Sequence, residues 1–404
     1  MELKIIHTAD WHLDYDPVRL AKAENSLKQL VEYCKKETVN GIIIAGDIWD
    51  RLQPFGGRSA VSLCFDYLSQ LSSLVGFIFI DAGNSSHDPD GSVVKLNNYR
   101  PNIWAFEYNV ALLVDLKGYS YIDLCQQPDL GQADSPSLLI YGFPYPTKAR
   151  LMGQGSIDEN NVNLVEQFEK LLGYYGMISD RHPDTPKITV YHGNVAGSKL
   201  SKGQTIAGQE IIIPPNLLEL TGANYYALGH IHMPQQIKWN MSYSGSLYNK
   251  DFGETEQKYF NSVKITCGVL DGEGRETFPM EIERIAFVSS RPMLTIEAEF
   301  RGGKFIYENH IPANAEVKFR YSVAENEREL VTADILKELR KSFNEDVKIE
   351  ANVIPIQREA RSINMAKCKT LQDEIVEYGK VIKNEATRGI LEKAQFLLEN
   401  YNAE

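Results

Sequence analysis

The chain has 404 residues, 43% of them hydrophobic and 24% charged, with a formal net charge of −12. That length suits one large domain with one or two smaller pieces, and the ordinary composition, free of low-complexity tracts, excludes disorder on a large scale. No apolar run approaches the roughly 20 residues needed to span a bilayer, so no membrane role is expected, and the acidic balance excludes a general basic coat, because lysine and arginine supply most non-specific affinity for nucleic acid. The first residues enter a strand pattern directly, without a basic region or cleavage site, which predicts a cytoplasmic protein. The five scattered cysteines read as reduced thiols.

In chain order, an apolar run at 3–7 precedes a stretch at 18–38 in which Leu20, Leu27, Leu30, Val31 and Cys34 recur at near-helical spacing. A run at 41–45 follows, then a second helix pattern at 60–74, and further runs at 77–80, 137–141, 188–191 and 225–228. Short apolar runs alternating with amphipathic stretches predict an α/β layered fold, with either helix packed on a sheet or forming a dimer face. Near 283–290 the character changes. Strand patterns at 293–300, 315–321 and 347–355 and a helix pattern at 331–342 predict a small α+β domain. Beyond residue 356 the chain is polar, with helix patterns at 370–384 and 387–401 whose apolar stripes pack back on the body by default.

Polar residues fall in a telling place relative to those runs. Asp10 and His12 follow the first, Asp47 the second, Asn84 and His87 the third, His192 the run at 188–191, and His230 and His232 the run at 225–228. Each group lies just past the carboxyl end of a predicted strand, the edge where open α/β sheets bind ligands. Residues two apart on an extended segment project to one side, so Asp10 with His12, and His230 with His232, can each aim two donors at one point. Five of the eight histidines sit at these ends. Mixed imidazole and carboxylate donors suit Mn, Fe, Zn or Co rather than Mg or Ca alone. The set exceeds what one tetrahedral ion uses; two ions roughly 3.5–4 Å apart, bridged by one carboxylate, would use it fully. Asp47 is the bridging candidate, since a carboxylate has two oxygens. Such a pair suits phosphoester cleavage, and His87, beside the cluster, suits protonation of the leaving oxygen.

Asp10-Trp11-His12, Gly46-Asp47-Ile48-Trp49-Asp50, Gly83-Asn84 with nearby His87-Asp88, His192-Gly193 and Gly229-His230-Ile231-His232 resemble, in order, the D-x-H, G-D-x-x-D, G-N-H-[DE], H-G and G-H-x-H motifs of calcineurin-like phosphoesterases. The opening from His7 to Leu13, the stretch from Tyr243 to Leu247, and Asp251-Phe252-Gly253-Glu254 are similar to the SbcD branch of the meiotic-recombination-eleven nucleases. The resemblance is good over about residues 1–285 and looser beyond. It implies a four-layer αββα metallophosphoesterase sandwich over 1–285, a capping, DNA-positioning domain over 286–356, and a C-terminal helical segment over 357–404 that docks on an SMC-like coiled-coil ATPase of the SbcC type. It also implies that Asp10, His12, Asp47, Asn84, His192, His230 and His232 hold two divalent ions, Mn²⁺ first and Mg²⁺, Fe²⁺ or Zn²⁺ as alternatives, with His87 as the acid. The activity implied is a metal-dependent DNA exonuclease and endonuclease at DNA ends, in repair, recombination or replication, working as a homodimer through the N-terminal helices.

The family motif runs Gly-Asn-His-Asp without a break, whereas Ser85 and Ser86 separate Asn84 from His87 here. Either Asn84 keeps the ligand place or Ser86 takes it; an amide oxygen is the better neutral ligand, which favours Asn84. Taken singly, each motif has a plainer reading, such as a turn or helix cap for Asp10 and His12. Five in order do not. Asp50 and Asp88 read as orienting or capping residues, Asp251 and Glu254 as caps, His7 as a core histidine, and Arg358, Arg361, Lys367 and Lys369 as a solvated face. Two other functions use the same features: a phosphodiesterase or phosphatase for small substrates, and a catalytically weak scaffold for the ATPase.

Overall fold

The computed structural model describes residues 1–51, 60–127, 137–146, 157–202, 204, 210–289, 292–308, 315–343 and 347–355, with isolated positions after 367. Two compact units divide the chain, Met1–Leu294 with Pro312–Glu316 and Thr295–Ile311 with Val317–Glu404.

The first unit is built on two large sheets. One has the order β17–β14–β1–β2–β3–β4, made of β1 (Glu2–Thr8), β2 (Gly41–Ala45), β3 (Phe77–Asp81), β4 (Ile103–Phe106), β14 (Tyr259–Thr266) and β17 (Met280–Ala286). Within it β1 to β4 run parallel, while β14 and β17 pair antiparallel. The other has the order β12–β13–β11–β8–β7–β5–β6, made of β5 (Val110–Asp115), β6 (Ser120–Asp123), β7 (Ser137–Phe143), β8 (Lys187–His192), β11 (Tyr225–Gly229), β12 (Gln235–Lys238) and β13 (Met241–Tyr243). Two minor pairs, β9 (Asn194–Val195) with β10 (Ile212–Ile213) and β15 (Val269–Leu270) with β16 (Glu276–Thr277), complete this unit's strands among the described residues.

Side-chain alternation explains the layering. In β1 to β3, Leu3, Ile5, Ile43, Phe77 and Phe79 belong to one core while Ile6, Ile42, Ile44, Ile78 and Ile80 belong to another. The first core is shared with Ile140, Ile188, Val190, Tyr225 and Ala227 of the second sheet, so it lies between the sheets. The other continues into α1 (Pro17–Lys36) through Leu27, Leu30 and Val31, and into α2 (Ala60–Ser72) through Leu63, Tyr67 and Leu68. A third core joins Tyr141, Tyr191, Tyr226 and Leu228 to Phe168, Leu172 and Tyr175 of α3 (Ile157–Arg181) and to α4 (Pro215–Leu218). Strands buried on both faces read as continuous apolar runs because neither face is wet. The layers are helix, sheet, sheet, helix, the αββα sandwich expected from the sequence. Both N-terminal helices pack on a sheet. Asp16 caps α1, its Oδ1 accepting from the Val18 and Arg19 N–H groups at 2.9 Å, with Pro17 at the first position where no N–H is needed.

The second unit carries a sheet of order β19–β18–β20–β21, from β18 (Met293–Arg301), β19 (Lys304–Ile306), β20 (Glu316–Ala324) and β21 (Lys348–Ile354). Ile296, Ala298 and Phe300 alternate with exposed residues on β18, as Val317, Phe319, Tyr321 and Val323 alternate along β20. Phe343, just past α5 (Ala333–Ser342), meets Phe319 with ring centres 5.6 Å apart. These elements match the small α+β pattern read from the sequence. The sequence reading leaves β4 to β6 and α3 unassigned; they are residues 103–106, 110–115, 120–123 and 157–181. The helices expected at 370–384 and 387–401, and with them the partner-binding segment 357–404, lie outside the described residues apart from isolated positions. Among the described residues no helix is long and apolar enough to cross a membrane.

Candidate metal centre

Asp10, His12, Asp47, Asn84 and His87 come from the loops after β1, β2 and β3; His192 ends β8, and His230 and His232 follow β11. The loops are tied to each other by their backbones: the Asp10 N–H donates to Gly46 O at 3.0 Å and the His12 N–H to Asp47 O at 3.0 Å. Asp10, His12, Asp47 and His230 all have positive φ, at 50°, 44°, 53° and 95°. Non-glycine residues rarely adopt that region, and its local strain persists only where surrounding structure enforces it. The motif glycines are steric requirements. A side chain on Gly46 would strike the His192 ring, and one on Gly83 would strike the Asp47 carboxylate.

Two groups of three donors form, each with its ligating atoms within 4.8 Å of one another: His12, Asp47 and His87, and Asp47, His192 and His230. Asp47 belongs to both. His232 adjoins the first group, its Nε2 2.9 Å from His12 Nε2. Asp10 accepts the His230 N–H through Oδ1 at 2.8 Å. Its Oδ2 is buried without a hydrogen-bond partner, as are His192 Nε2 and His230 Nδ1. The opposite ring nitrogens are occupied: His192 Nδ1 on Ala45 O at 2.7 Å, His230 Nε2 on Glu210 Oε2 at 2.9 Å, and His232 Nδ1 on Glu254 Oε1 at 2.8 Å. His87 Nδ1 donates to Asp50 O at 2.7 Å. Buried lone pairs facing one another across 2.9 Å, with carboxylate oxygens and imidazole nitrogens left unpartnered, are what bound cations would satisfy. The donor set fits divalent metal ions.

Electrostatics agree. Burial alone would lower the His192 pKa, but the Asp47 carboxylate, 3.3 Å from its Nε2, lifts it to about 10. Burial would raise Asp47, and neighbouring imidazoles, His192 foremost, hold it below the usual carboxylate range instead. Burial, with Lys250 adding to it, keeps His12 well below the ordinary histidine value, hence neutral. Asp88 is pushed up to about 7 by burial and by Asp47. A cavity of about 420 Å³ opens onto Asp47, Asn84, His87, His230 and His232.

All eight sequence-nominated residues therefore meet at one end of the sandwich. Asn84 lies against Asp47, its N–H on Oδ1 at 3.0 Å and its Nδ2 on Oδ2 at 3.3 Å, while its own Oδ1 takes the N–H and hydroxyl of Ser86. Asn84 rather than Ser86 thus faces the donors, though with its amide nitrogen. His87, expected beside the cluster, comes as close to His12 and Asp47 as a ligand would. Asp50 holds His87 through its backbone carbonyl, and its carboxylate receives Lys250 at 2.6 Å. Asp88 accepts from the Trp49 and Gly83 N–H groups at 3.1 and 2.7 Å, joining the loops after β2 and β3. Glu254, read from the sequence as a helix cap, is instead buried against His232. Glu210 and Tyr145, whose ring centre is 5.5 Å from that of His230, stand in no motif and carry no sequence signal. His7 is a core residue, its Nδ1 on the Tyr225 hydroxyl at 2.8 Å. His310, Arg358, Arg361, Lys367 and Lys369 lie outside the described residues.

Comparison with known proteins gives the family context. The model of the calcineurin-like phosphoesterase family matches residues 3–234. Two curated relatives are each named as the SbcD component of the nuclease SbcCD. The one from Bacillus subtilis strain 168 is 28% identical over 281 residues, and the one from Staphylococcus saprophyticus subsp. saprophyticus is 26% identical over 279. Each alignment covers 65% of this chain, and the chain spans 66% of the length of these relatives. Among solved structures, the GAP50 anchor in the inner membrane complex of Plasmodium aligns at a TM-score of 0.41 and 12% identity, over 71% of this chain and 90% of that one. A likeness of that size bears on neither fold nor function.

Proposed function

The chain belongs to the calcineurin-like phosphoesterase family, and from that premise we propose that it hydrolyses phosphodiester bonds at DNA ends, as exonuclease and endonuclease, through a pair of divalent cations. One observation carries the two-ion reading: Asp47 is common to both three-donor groups. His12 and Asp47, with His232 adjoining and Asn84 after its amide turns over, would hold one ion; Asp47, His192, His230 and Asp10 would hold the other. Imidazole-rich donors favour Mn²⁺, with Fe²⁺, Zn²⁺ or Mg²⁺ as alternatives. Such ions clamp phosphate oxygens, offset developing charge and lower the pKa of water.

The chain's own groups supply the rest. His87 hands a proton to the leaving oxygen; its Nδ1 proton is committed to Asp50 O, so the mobile proton is the one on Nε2. Asp88 holds the loops after β2 and β3 together and so keeps Asp47 and Asn84 in register. The names of the relatives support DNA as substrate, an SMC-like ATPase of the SbcC type as partner, and a role in repair, recombination or replication. A cytoplasmic location, a homodimer through the N-terminal helices, a DNA-positioning role for residues 286–356 and ATPase docking by 357–404 complete the reading.

Purified protein with Mn²⁺ and an end-labelled duplex should release nucleotides, and Asp47→Ala should reduce this to background. Cleavage surviving in that variant would overturn the assignment. The scaffold alternative has one observation behind it, the Asn84 oxygen turned towards Ser86. Two bound ions by elemental analysis with no turnover on any phosphoester would favour it.

A further inference from the structure

We propose that residues 250–258 form a clamp that sets the orientation and the proton position of His232, with Glu254 as its positioning residue. The inference rests on the metal-centre reading and deepens it. A histidine that donates to a cation must present a lone pair on one ring nitrogen, and the hydrogen bond made by the other nitrogen decides which one that is. Glu254 Oε1 lies 2.8 Å from His232 Nδ1, and Glu254 Oε2 lies 2.7 Å from Lys258 Nζ, with all three side chains buried or nearly so. A buried carboxylate paired with an ammonium is ionised and can only accept. The proton it accepts is therefore on Nδ1 of His232, and Nε2 carries the lone pair. That Nε2 is the atom facing His12 Nε2 at 2.9 Å.

The clamp grips the backbone as well as the ring. Lys258 Nζ also donates to His232 O at 2.9 Å and to Glu256 Oε1 at 2.9 Å, so one buried ammonium fixes both ends of the histidine. At the other end of the segment Lys250 Nζ reaches Asp50 Oδ1 at 2.6 Å, and that oxygen stands 3.6 Å from His12 Nδ1. A single short stretch thus braces both imidazoles whose Nε2 atoms meet. The same logic recurs at His230 with the nitrogens exchanged: Glu210 holds Nε2, and Nδ1 is left without a partner. Simple packing of an ion pair does not require the carboxylate to sit on the one ring nitrogen that faces away from the donor cluster.

Nitrogen-15 NMR of the imidazoles in metal-free wild-type protein should find His232 with its proton on Nδ1; a proton on Nε2 would sink the proposal without any variant being needed. In Glu254→Gln, whose amide accepts more weakly, Mn²⁺ affinity by calorimetry should fall about 10–100-fold. The visible spectrum of the Co²⁺-loaded variant should change as well, since it reports ligand geometry. A folded Glu254→Gln with wild-type Mn²⁺ affinity and an unchanged Co²⁺ spectrum would reduce the pair to packing and overturn the inference. Were the wild type to bind no divalent ion, the metal-centre reading would fall, while the proton position on His232 would still decide the clamp.

Discussion

The space between the two sheets and the rim at their carboxyl ends are equally buried and chemically opposite. Between the sheets, Ile5, Ile43, Phe79, Ile140, Val190 and Ala227 have no exposure at all and no polar side-chain atom to satisfy. A few residues further along the chain from three of these, Asp10, His12, Asp47 and His192 are as deeply buried, with unpartnered atoms among them and left-handed backbone at three of the four. Apolar burial contributes stability in proportion to area, whereas buried charges without partners cost it. The core is therefore what allows the rim to hold groups that no solvent-exposed loop would keep in place.

Four measurements probe that contrast, taken from the largest expected effect. His87→Ala should lower turnover about 10²–10⁴-fold, roughly 3–5 kcal/mol on the barrier, while leaving the unfolding midpoint close to wild type; an equal loss of stability would erase the distinction between rim and core. Phe79→Ala should do the reverse, destabilising by about 3–5 kcal/mol with activity per folded molecule retained, as read by urea titration alongside kinetics. Mn²⁺ at about 100 times its Kd should stabilise the wild type by about 2.7 kcal/mol. Asp47→Ala should show little of that gain, and a full gain there would place the binding elsewhere. The smallest effect is expected from Ile43→Val, about 0.5–1.5 kcal/mol with unchanged metal affinity; a changed affinity would mean that the core tunes the rim directly.

Much of the site was legible because its residues obey a local rule. Asp10, His12, Asp47, His192, His230 and His232 each follow an apolar run closely, so finding the strands also found the donors. Glu210 obeys no such rule: it stands in a loop distant in sequence from His230, and only chain folding brings the two within 2.9 Å. Glu254 was visible as a residue but misread, since a glutamate after glycine resembles a cap until its burial is known. The loop at 84–87 showed the opposite difficulty. Its composition announced a departure, yet which side chain faces Asp47 depends on a turn in which Asn84 O accepts the N–H groups of both His87 and Asp88.

Periodicity and spacing alone determined the layered α/β class, the strand ends that matter and the kinds of donor gathered there, because alternation along a strand is written into neighbouring residues. Tertiary structure alone decided that two sheets meet face to face, that Asp47 stands in both donor groups, and which nitrogen of each histidine is left for a cation. Those outcomes depend on contacts between residues as far apart as His12 and His232, whose closeness in space no local pattern encodes.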